Sequence, residues 1–306
     1  MKKFLIIFSI IAFIIPGAWA CEICGCGVGN SYIGILPEFN KNIFGFRYRY
    51  NSMLTHIGVG GATTYLTTAE SYRTLEAWGG VNITRNFRLM ASVPYSFDER
   101  SNQGITLTKS GLGDISVSAF YQVIHSRKSF SDKLLVQSLW IGGGLKLPTG
   151  NYNPVSKATS VESANLFQLG TGSTDFITTA MYDIRLQDAG FNLTSSYRIN
   201  TVNQYQYQYG NKFSFSAQAY YKFKIEKGFS LSPNAGVLTE MGQKDTDHSI
   251  PVDISGGNLL MGSAGVELAF RKFAIGGNWQ TPLTQNLANG IIKANNRFMI
   301  HFSFVI

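Results

Sequence analysis

Three cysteines near the start of the chain are the residues whose type and spacing most directly suggest chemistry. Cys21, Cys24 and Cys26 form a C-x-x-C-x-C run that brings three sulfur atoms within reach of one soft metal ion. Thiolates are preferred ligands of Cu(I), and Zn(II) accepts them together with a further ligand. The run therefore predicts a metal site at these cysteines that holds Cu(I) or Zn.

The same cysteines have two other uses. In an oxidising compartment thiols tend to pair, and three thiols cannot all pair internally, so one would remain free or bridge to another chain. Cys21 could instead carry a lipid if it becomes the first mature residue. The residues leave metal binding, disulfide formation and lipid attachment open.

The segment before Cys21 has the pattern of an export signal. Lys2 and Lys3 precede an apolar run over residues 4–15, and the segment ends in Ala18-Trp19-Ala20. A basic start, a short apolar core and an Ala-x-Ala end are typical of a secretory signal peptide. We predict a signal peptide over residues 1–20 and a Cys/Gly-rich periplasmic or lumenal segment over residues 21–42.

The composition is low in charge and rich in aromatic residues. Charged residues are 14% of the chain, against roughly 25% in soluble domains, while it holds 22 Phe and 15 Tyr. The net charge of +8 falls to +6 when Lys2 and Lys3 are removed, which indicates a mildly basic interior or periplasmic rim. We find no dense Lys/Arg cluster, so nucleic acid is excluded as an expected partner.

Alternation in the last ten residues predicts a β-strand between two different solvents. Phe298, Phe302 and Phe304 lie on one row, and Arg297 and His301 on the other. Successive side chains of a strand point to opposite faces, so one face is apolar and the other mostly polar. An exported chain with many such segments is expected to be a transmembrane antiparallel up-and-down β-barrel.

The spacing of turns predicts about twelve strands over residues 43–306. Short connections fall near residues 85–86, 125–133, 188–190, 226–228 and 271–272, and long polar ones near 53–69, 99–112, 148–173, 241–258 and 283–296. Gly210-Asn211 is predicted as a tight hairpin turn, with Tyr205, Tyr207 and Tyr209 in an outer aromatic belt. An even strand count puts both termini in the periplasm.

The inward rows of these strands carry the residues expected to line the lumen. Twelve strands lie between small filled barrels and wide aqueous channels, so the lumen should pass or bind one small solute. The charges are of mixed sign, which argues against strong ion selectivity. The predicted pore-lining residues are Arg47, Arg49, Glu76, Arg88, Asp114, Asp183, Arg185, Arg198, Glu267, Arg297 and His301.

The histidines do not support an enzyme. A barrel phospholipase needs a Ser-His pair that faces lipid, whereas His301 is the one histidine on a predicted membrane strand and faces the lumen. His56 and His248 fall in predicted outer loops, and His125 in an inner turn from which it could approach the cysteines. We therefore predict that the protein is not an enzyme.

Three stretches carry a family resemblance: residues 111–115 (G-L-G-D-I), 145–150 (L-K-L-P-T-G) and 169–175 (L-G-T-G-S-T-D). Their order and spacing resemble the outer-membrane proteins grouped as "Putative MetA-pathway of phenol degradation". The resemblance implies an outer-membrane channel for small, often aromatic or hydrophobic compounds. Without the resemblance, the same stretches indicate only the ends of strands, since Pro148 lacks a backbone hydrogen-bond donor and the glycines permit turns.

The sequence thus predicts an outer-membrane channel for a small solute, with hydrophobic and aromatic compounds as the implied class. The alternative is a metal-handling or partner-docking barrel that uses Cys21, Cys24 and Cys26 to meet an ion or a periplasmic protein. Outer-membrane lipid and a small solute are the expected partners. The apolar outward rows support the channel hypothesis, and the cysteine run supports the alternative.

Overall fold

The computed structural model describes residues 41–130, 133–154, 167–226 and 228–306. In these ranges twelve antiparallel strands form one closed barrel, counting two interrupted strands once each. The strands are β1 Ile43–Thr55, β2 Thr68–Asn82, β3 Phe87–Asn102, β4 Ile105–Leu112 continued by Ser116–Phe130, β5 Lys133–Lys146, β6 Asp175–Leu186, β7 Ala189–Ile199, β8 Lys212–Tyr221 continued by Phe223–Glu226, β9 Phe229–Gly242, β10 Gly257–Phe270, β11 Phe273–Leu287 and β12 Arg297–Val305.

The barrel closes between its first and last strands. Strand β12 pairs with β1 from Ile43 opposite Val305 to Tyr50 opposite Phe298, and it pairs with β11 on its other side. Every other barrel strand pairs with its two sequence neighbours. The wall therefore has no free edge, as a spanning β-structure requires.

Side chains alternate between an exposed apolar outer face and a buried polar inner face. On β1, Phe44 and Phe46 on the outer face are 44% and 47% exposed, while Arg47 on the inner face is only 5% exposed. On β12, Ile300 is 50% exposed and His301 is 2% exposed. A surface of this kind needs apolar surroundings, because contiguous apolar patches on soluble proteins are small. The predicted fold class and its outward rows are confirmed.

Short and long connections lie at opposite ends of the barrel. We call the end with the turns 83–86, 187–188 and 271–272 the turn end; Ile43 and Val305 also lie there. The opposite end is the loop end, which includes the 3₁₀ turns Val59–Gly61 and Ala288–Gly290. No helix within the described ranges is long and apolar enough to cross a membrane.

Two predicted loops are in fact strand. The β4–β5 ladder continues to Phe130 opposite Lys133, so His125 lies within β4, where its Nδ1 is 3.2 Å from Nε2 of Gln122. At the loop end, β3 and β4 pair as far as Asn102 opposite Ile105. The predicted long loop over residues 99–112 is therefore wrong. A hairpin that rises beyond the apolar band meets water on both faces, so its polar residues look like those of a loop.

The structure has a tight turn where a long loop is predicted, and a loop where a tight turn is predicted. Gln103 and Gly104 have φ of 48° and 78°, the positive values that a two-residue hairpin turn needs. By contrast, residues 200–211 form a loop rather than a hairpin with a turn at 210–211. Tyr207 and Tyr209 are 1% and 3% exposed, so the predicted aromatic belt position is wrong for them.

These tyrosines form a buried group with Tyr152 at the loop end. The hydroxyl of Tyr207 donates to Asp245, and Oδ1 of Asp245 accepts from the Gly210 amide at 2.7 Å. The pair Tyr207–Gln208 also forms a short ladder with Thr246–Asp247. The loops after β5, β7 and β9 therefore pack on one another above the wall.

Candidate functional site in the barrel lumen

A row of charged residues crosses neighbouring strands at one height of the lumen. Glu76, Arg47 and His301 are direct register partners on β2, β1 and β12. Arg47 donates to both carboxylate oxygens of Glu76, at 2.8 and 3.2 Å, and Arg49 adds a contact of 3.0 Å. The side chains of Arg47, Arg49 and Glu76 are mostly buried, and each of these charges has an opposite charge beside it. We call Glu76, Arg47, His301 and Glu267 the charged row.

The row continues over a glycine. Gly276 on β11 is the register partner of both His301 and Glu267. Nε2 of His301 lies 2.7 Å from Oε2 of Glu267, so the two side chains meet above this glycine. A Cβ at position 276 would overlap both of them. The missing side chain is what lets strands β12 and β10 join across β11.

The other wall repeats this arrangement. Tyr220 on β8 donates to Asp183 on β6, at 3.1 and 3.2 Å, and its ring lies against Gly190 on the strand between them. Arg185 is half-buried and Arg198 is 9% exposed on the same side. Inward charges on both walls are thus held within the wall rather than extended into a wide channel.

Further inward cations are bound at the two ends of the lumen. Near the loop end, Arg297 donates to both carboxylate oxygens of Glu240, at 3.0 and 3.1 Å, and so joins two strands that are not neighbours. Near the turn end, Arg88 is fully buried and donates to the carbonyl of Lys41 at 2.8 Å and to Asn82 at 3.2 Å. Both cations are therefore held by groups of the wall.

Towards the loop end the inward rows become apolar. The members on the barrel strands are Met53, Tyr72, Leu238, Leu259, Met261 and Leu287, and Ala294 lies just before β12; each is at most 2% exposed. Met53 continues the inward row of Arg47 and Arg49, and Met261 continues that of Glu267. Since each is inward by the same alternation that places the charges, the cluster fills the lumen. Together with Phe167, Ala288 and Ile292 from the loops, we call it the apolar layer.

Phe167 closes the apolar layer from above. It lies on the connection between β5 and β6, is 1% exposed, and has its ring centroid 6.4 Å from that of Tyr72. The Arg100 guanidinium and the Lys109 ammonium lie 5.2 and 5.5 Å from the Phe167 ring centroid. Lys109 also donates to the Phe167 carbonyl at 2.6 Å. Cation–π attraction and this hydrogen bond both hold the ring in place.

An ion pair supports the cation over that ring. Arg100 donates to Oε1 of Glu70 at 2.6 and 2.9 Å, and the hydroxyl of Tyr72 also donates to Glu70. Both partners are at most 5% exposed. The guanidinium is therefore fixed on the wall, and Phe167 packs on a preformed surface.

The three family stretches meet in one buried ion cluster. Lys146 lies 2.7 Å from Asp114 and 2.6 Å from Asp175, and it contacts the hydroxyl of Thr171. Asp114 also accepts from the backbone amides of Gly150 and Thr171, at 3.0 and 2.9 Å. These bonds tie both ends of the β5–β6 connection to the wall. We call Asp114, Lys146, Thr171 and Asp175 the loop anchor.

Close backbone packing accompanies the anchor. A Cβ on Gly150 would overlap the backbone of Gly170, and a Cβ on Gly170 would overlap Gly150 and Asp114. Thr149 donates to the Gly113 carbonyl at 2.9 Å and accepts from the Ile115 amide at 2.9 Å. The glycines and threonines of these stretches therefore position the connection that carries Phe167.

The predicted lumen residues fall into two groups. Asp114 belongs to the loop anchor, whereas the other ten lie on inward rows of strands. Sequence reasoning missed Lys146, Glu70 and Arg100 as well as the apolar layer. The signal that could have found them is the alternation of side chains along a strand. Glu70 is on the same inward row as Glu76, and apolar residues on an inward row must fill the lumen.

The predicted metal site lies outside the described residues. Cys21, Cys24 and Cys26 precede residue 41, so the Cu(I) or Zn site stays a prediction. Within the described ranges, no group of three or more His, Cys, Asp or Glu side chains is placed to hold a metal ion. The signal peptide and the segment over residues 21–42 stay predictions for the same reason.

Comparison with solved structures finds similar barrels. The COG4313 outer membrane channel from Pseudomonas putida F1 is similar with a TM-score of 0.56 and 16% identity, over 89% of this chain and 100% of that one. The β domain of the Bordetella autotransporter BrkA has a TM-score of 0.53 and 10% identity, over 87% and 100%. At these identities the likeness shows the fold, which is that of outer-membrane β-barrel proteins.

Sequence comparison gives the family. A search of curated proteins finds no match. The family model described as "Putative MetA-pathway of phenol degradation" matches residues 39–290, which include the loop anchor, the charged row up to Glu267 and most of the apolar layer. The predicted resemblance is confirmed, and the chain belongs to this family.

Proposed function

We propose that the protein is an outer-membrane channel, with both termini in the periplasm, that passes small hydrophobic or aromatic solutes through the apolar layer. The single observation that carries this proposal is the change of the inward rows from paired charges to apolar side chains. Met53 and Met261 lie on the same inward rows as Arg47 and Glu267. A solute that crosses the lumen must exchange contacts with these apolar side chains.

The apolar layer opposes ions. Its members are packed against one another, and apolar constrictions of this kind exclude water and the ions that water carries. Transfer of an isolated charge into such surroundings is far more costly than transfer of an apolar ring. The layer therefore favours uncharged apolar groups over hydrated ions.

Phe167 is a member of the apolar layer whose ring contacts a solute ring could replace. It lies on a connection rather than on a strand, and its contacts with Arg100 and Lys109 are cation–π contacts that another aromatic ring could make equally well. An aromatic solute that replaces Phe167 would keep the apolar layer packed. The proposed channel is therefore closed at rest and opens around its solute.

Two measurements on the full-length protein test this function. In planar bilayers the parent should conduct ions weakly, and Phe167→Ala should conduct more because the layer has lost its closing ring. In nanodiscs, ¹⁹F NMR should show saturable binding of 4-fluorobenzyl alcohol beyond its partition into empty nanodiscs. Phe176→Ala is the matched control, because Phe176 is 50% exposed on the outer face of β6.

The result can contradict the proposal in two ways. A parent protein that conducts ions freely would show that the apolar layer does not close the lumen. Binding of the alcohol that never rises above the empty-nanodisc value would show that the layer takes no aromatic solute. A Phe176→Ala variant that behaves like Phe167→Ala would assign the effect to general loosening of the barrel.

A further inference from the structure

A cavity lies at the opposite end of the lumen from the apolar layer. Its volume is about 350 Å³, within the range of small-molecule sites. It is lined at the turn end by the ends of β8, β10 and β12 and the starts of β1, β9 and β11. Its polar lining consists of Lys222, Lys224, Glu226, Ser230, Arg271 and Ser303. We call this cavity the basic vestibule.

The cations point into the vestibule because of strand register. Lys224 pairs with Ser230, which is 8% exposed on the inward row of β9. Lys222 is two residues earlier on the same row of β8, and Arg271 occupies the adjacent β10–β11 turn. Three cations therefore line the cavity with one carboxylate, Glu226, giving it a positive balance.

A buried hydroxyl supplies a second, independent sign of a ligand. Ser303 lines the cavity and is fully buried, and its Oγ has no hydrogen-bond partner among the described residues. Buried polar atoms are rarely left in this state. An anionic oxygen in the vestibule could accept from this hydroxyl in a cavity that the three cations also line.

The contacts that Lys224 and Arg271 make do not oppose this role. Lys224 lies 2.6 Å from Asp188, but its side chain is 67% exposed, and exposed pairs contribute little. The Arg271 guanidinium lies over the Phe270 ring at 5.2 Å, a contact that leaves its hydrogen-bond donors available to an anion.

We infer that the basic vestibule binds the carboxylate group of a small aromatic acid, so that the channel takes solutes with one apolar ring and one anionic group. This inference rests on the proposed function, since the apolar layer would accept the ring. The two sites lie in series along one lumen, ten residues apart on β1 from Ile43 to Met53, so a small molecule occupies them one after the other rather than together.

The test compares 4-fluorobenzoate with 4-fluorobenzyl alcohol, which differ in charge but have the same ring. Both are titrated by ¹⁹F NMR against full-length protein in nanodiscs. The variant is Lys222→Gln with Arg271→Gln. The control, Arg127→Gln with Lys128→Gln, removes the same charge at the same end of the barrel, from residues outside the vestibule.

We expect the variant to weaken 4-fluorobenzoate binding by about two- to five-fold for each cation removed, and to leave alcohol binding unchanged. The control should leave both unchanged. Ser303→Ala, which keeps every charge, should also weaken benzoate binding alone.

Several outcomes would overturn the inference. Equal weakening by the control would mean that net charge, not the vestibule, attracts the anion. Unchanged benzoate binding in both vestibule variants would mean that the carboxylate binds elsewhere. If the parent binds the alcohol but not the benzoate, only this inference fails; if it binds neither, the proposed function fails as well.

Discussion

Nε2 of His301 lies 2.7 Å from Oε2 of Glu267 across the strand that separates them, and Gly276 leaves the space in which they meet. Both residues are at most 3% exposed. The contact therefore joins β12 to β10 from inside the lumen. It ties the last strand of the barrel to a strand with which it shares no backbone hydrogen bonds.

Gly276→Val should separate His301 from Glu267 and destabilise the barrel. Overpacking of a filled interior costs about 1–3 kcal/mol, and two buried polar groups would also lose their partner. Denaturant unfolding in detergent should show the loss. Gly277→Val is the control, because a Cβ there has only the Met299 carbonyl nearby, at 3.8 Å. Equal destabilisation by both variants would contradict a specific role for Gly276.

Lys146→Met should release the β5–β6 connection. The change leaves Asp114 and Asp175 without their shared cation in a buried site, and breaking a buried pair in this way costs about 3–5 kcal/mol. We expect lower stability together with higher ion conductance, because Phe167 is carried by the connection that the anchor holds.

A matched control and a rescue make this prediction sharper. Lys244→Met removes a cation from the exposed pair with Asp253, whose carboxyl has its pKa lowered by the hydrogen bond from Lys244, and conductance should not change. Adding Asp114→Asn and Asp175→Asn to Lys146→Met should recover part of the lost stability. If Lys146→Met conducted ions no better than the parent, the loop anchor would not be what keeps the lumen closed to ions.

Met261→Gln should hydrate the apolar layer. Met261 is fully buried at its centre, and an amide placed there attracts water unless it finds partners. Ion conductance should rise while binding of 4-fluorobenzyl alcohol weakens. Ser232→Gln introduces the same amide on an inward row of the polar half and should change neither quantity. If Ser232→Gln raised the ion conductance and Met261→Gln did not, the constriction that blocks ions would lie in the polar half of the lumen.

Cys24→Ser with Cys26→Ser tests the metal hypothesis that the sequence raises. If these cysteines hold Cu(I) or Zn, the variant should lose metal retained after gel filtration, as measured by elemental analysis. Solute binding in the lumen should be unchanged, because the lumen site does not use these residues. Metal content equal to that of the parent in the variant would exclude this site.

The strands were predictable because two solvents sort their side chains. Rows such as Phe44 and Phe46 against Arg47 and Arg49 repeat around the barrel, and the strand count follows from them. The loop end was harder, since its hairpins meet water on both faces. Gln103-Gly104 therefore looked like part of a loop, and Tyr207 like part of an outer belt.

For the site, the sequence predicts only which strand residues face inward. Inward positions such as Arg297 follow from alternation, but its partner Glu240 is on a strand that is distant in sequence and not adjacent in the wall. Phe167 gave no signal, because a lone aromatic residue on a long connection can lie anywhere. Its position depends on Arg100 and Lys109, which only the folded barrel brings beneath and beside it.

The pairing of β1 with β12 has a consequence for how the barrel assembles. Ile43 and Val305 meet although almost the whole chain lies between them, so this seam is the contact of longest sequence separation in the wall. Long-range pairing is slow because the entropy of the closed loop is lost before the contact forms. Until the last nine residues of the wall arrive, the first strand presents an unpaired edge. An unpaired edge is a template for pairing with other chains, so the barrel is exposed to aggregation until this seam closes.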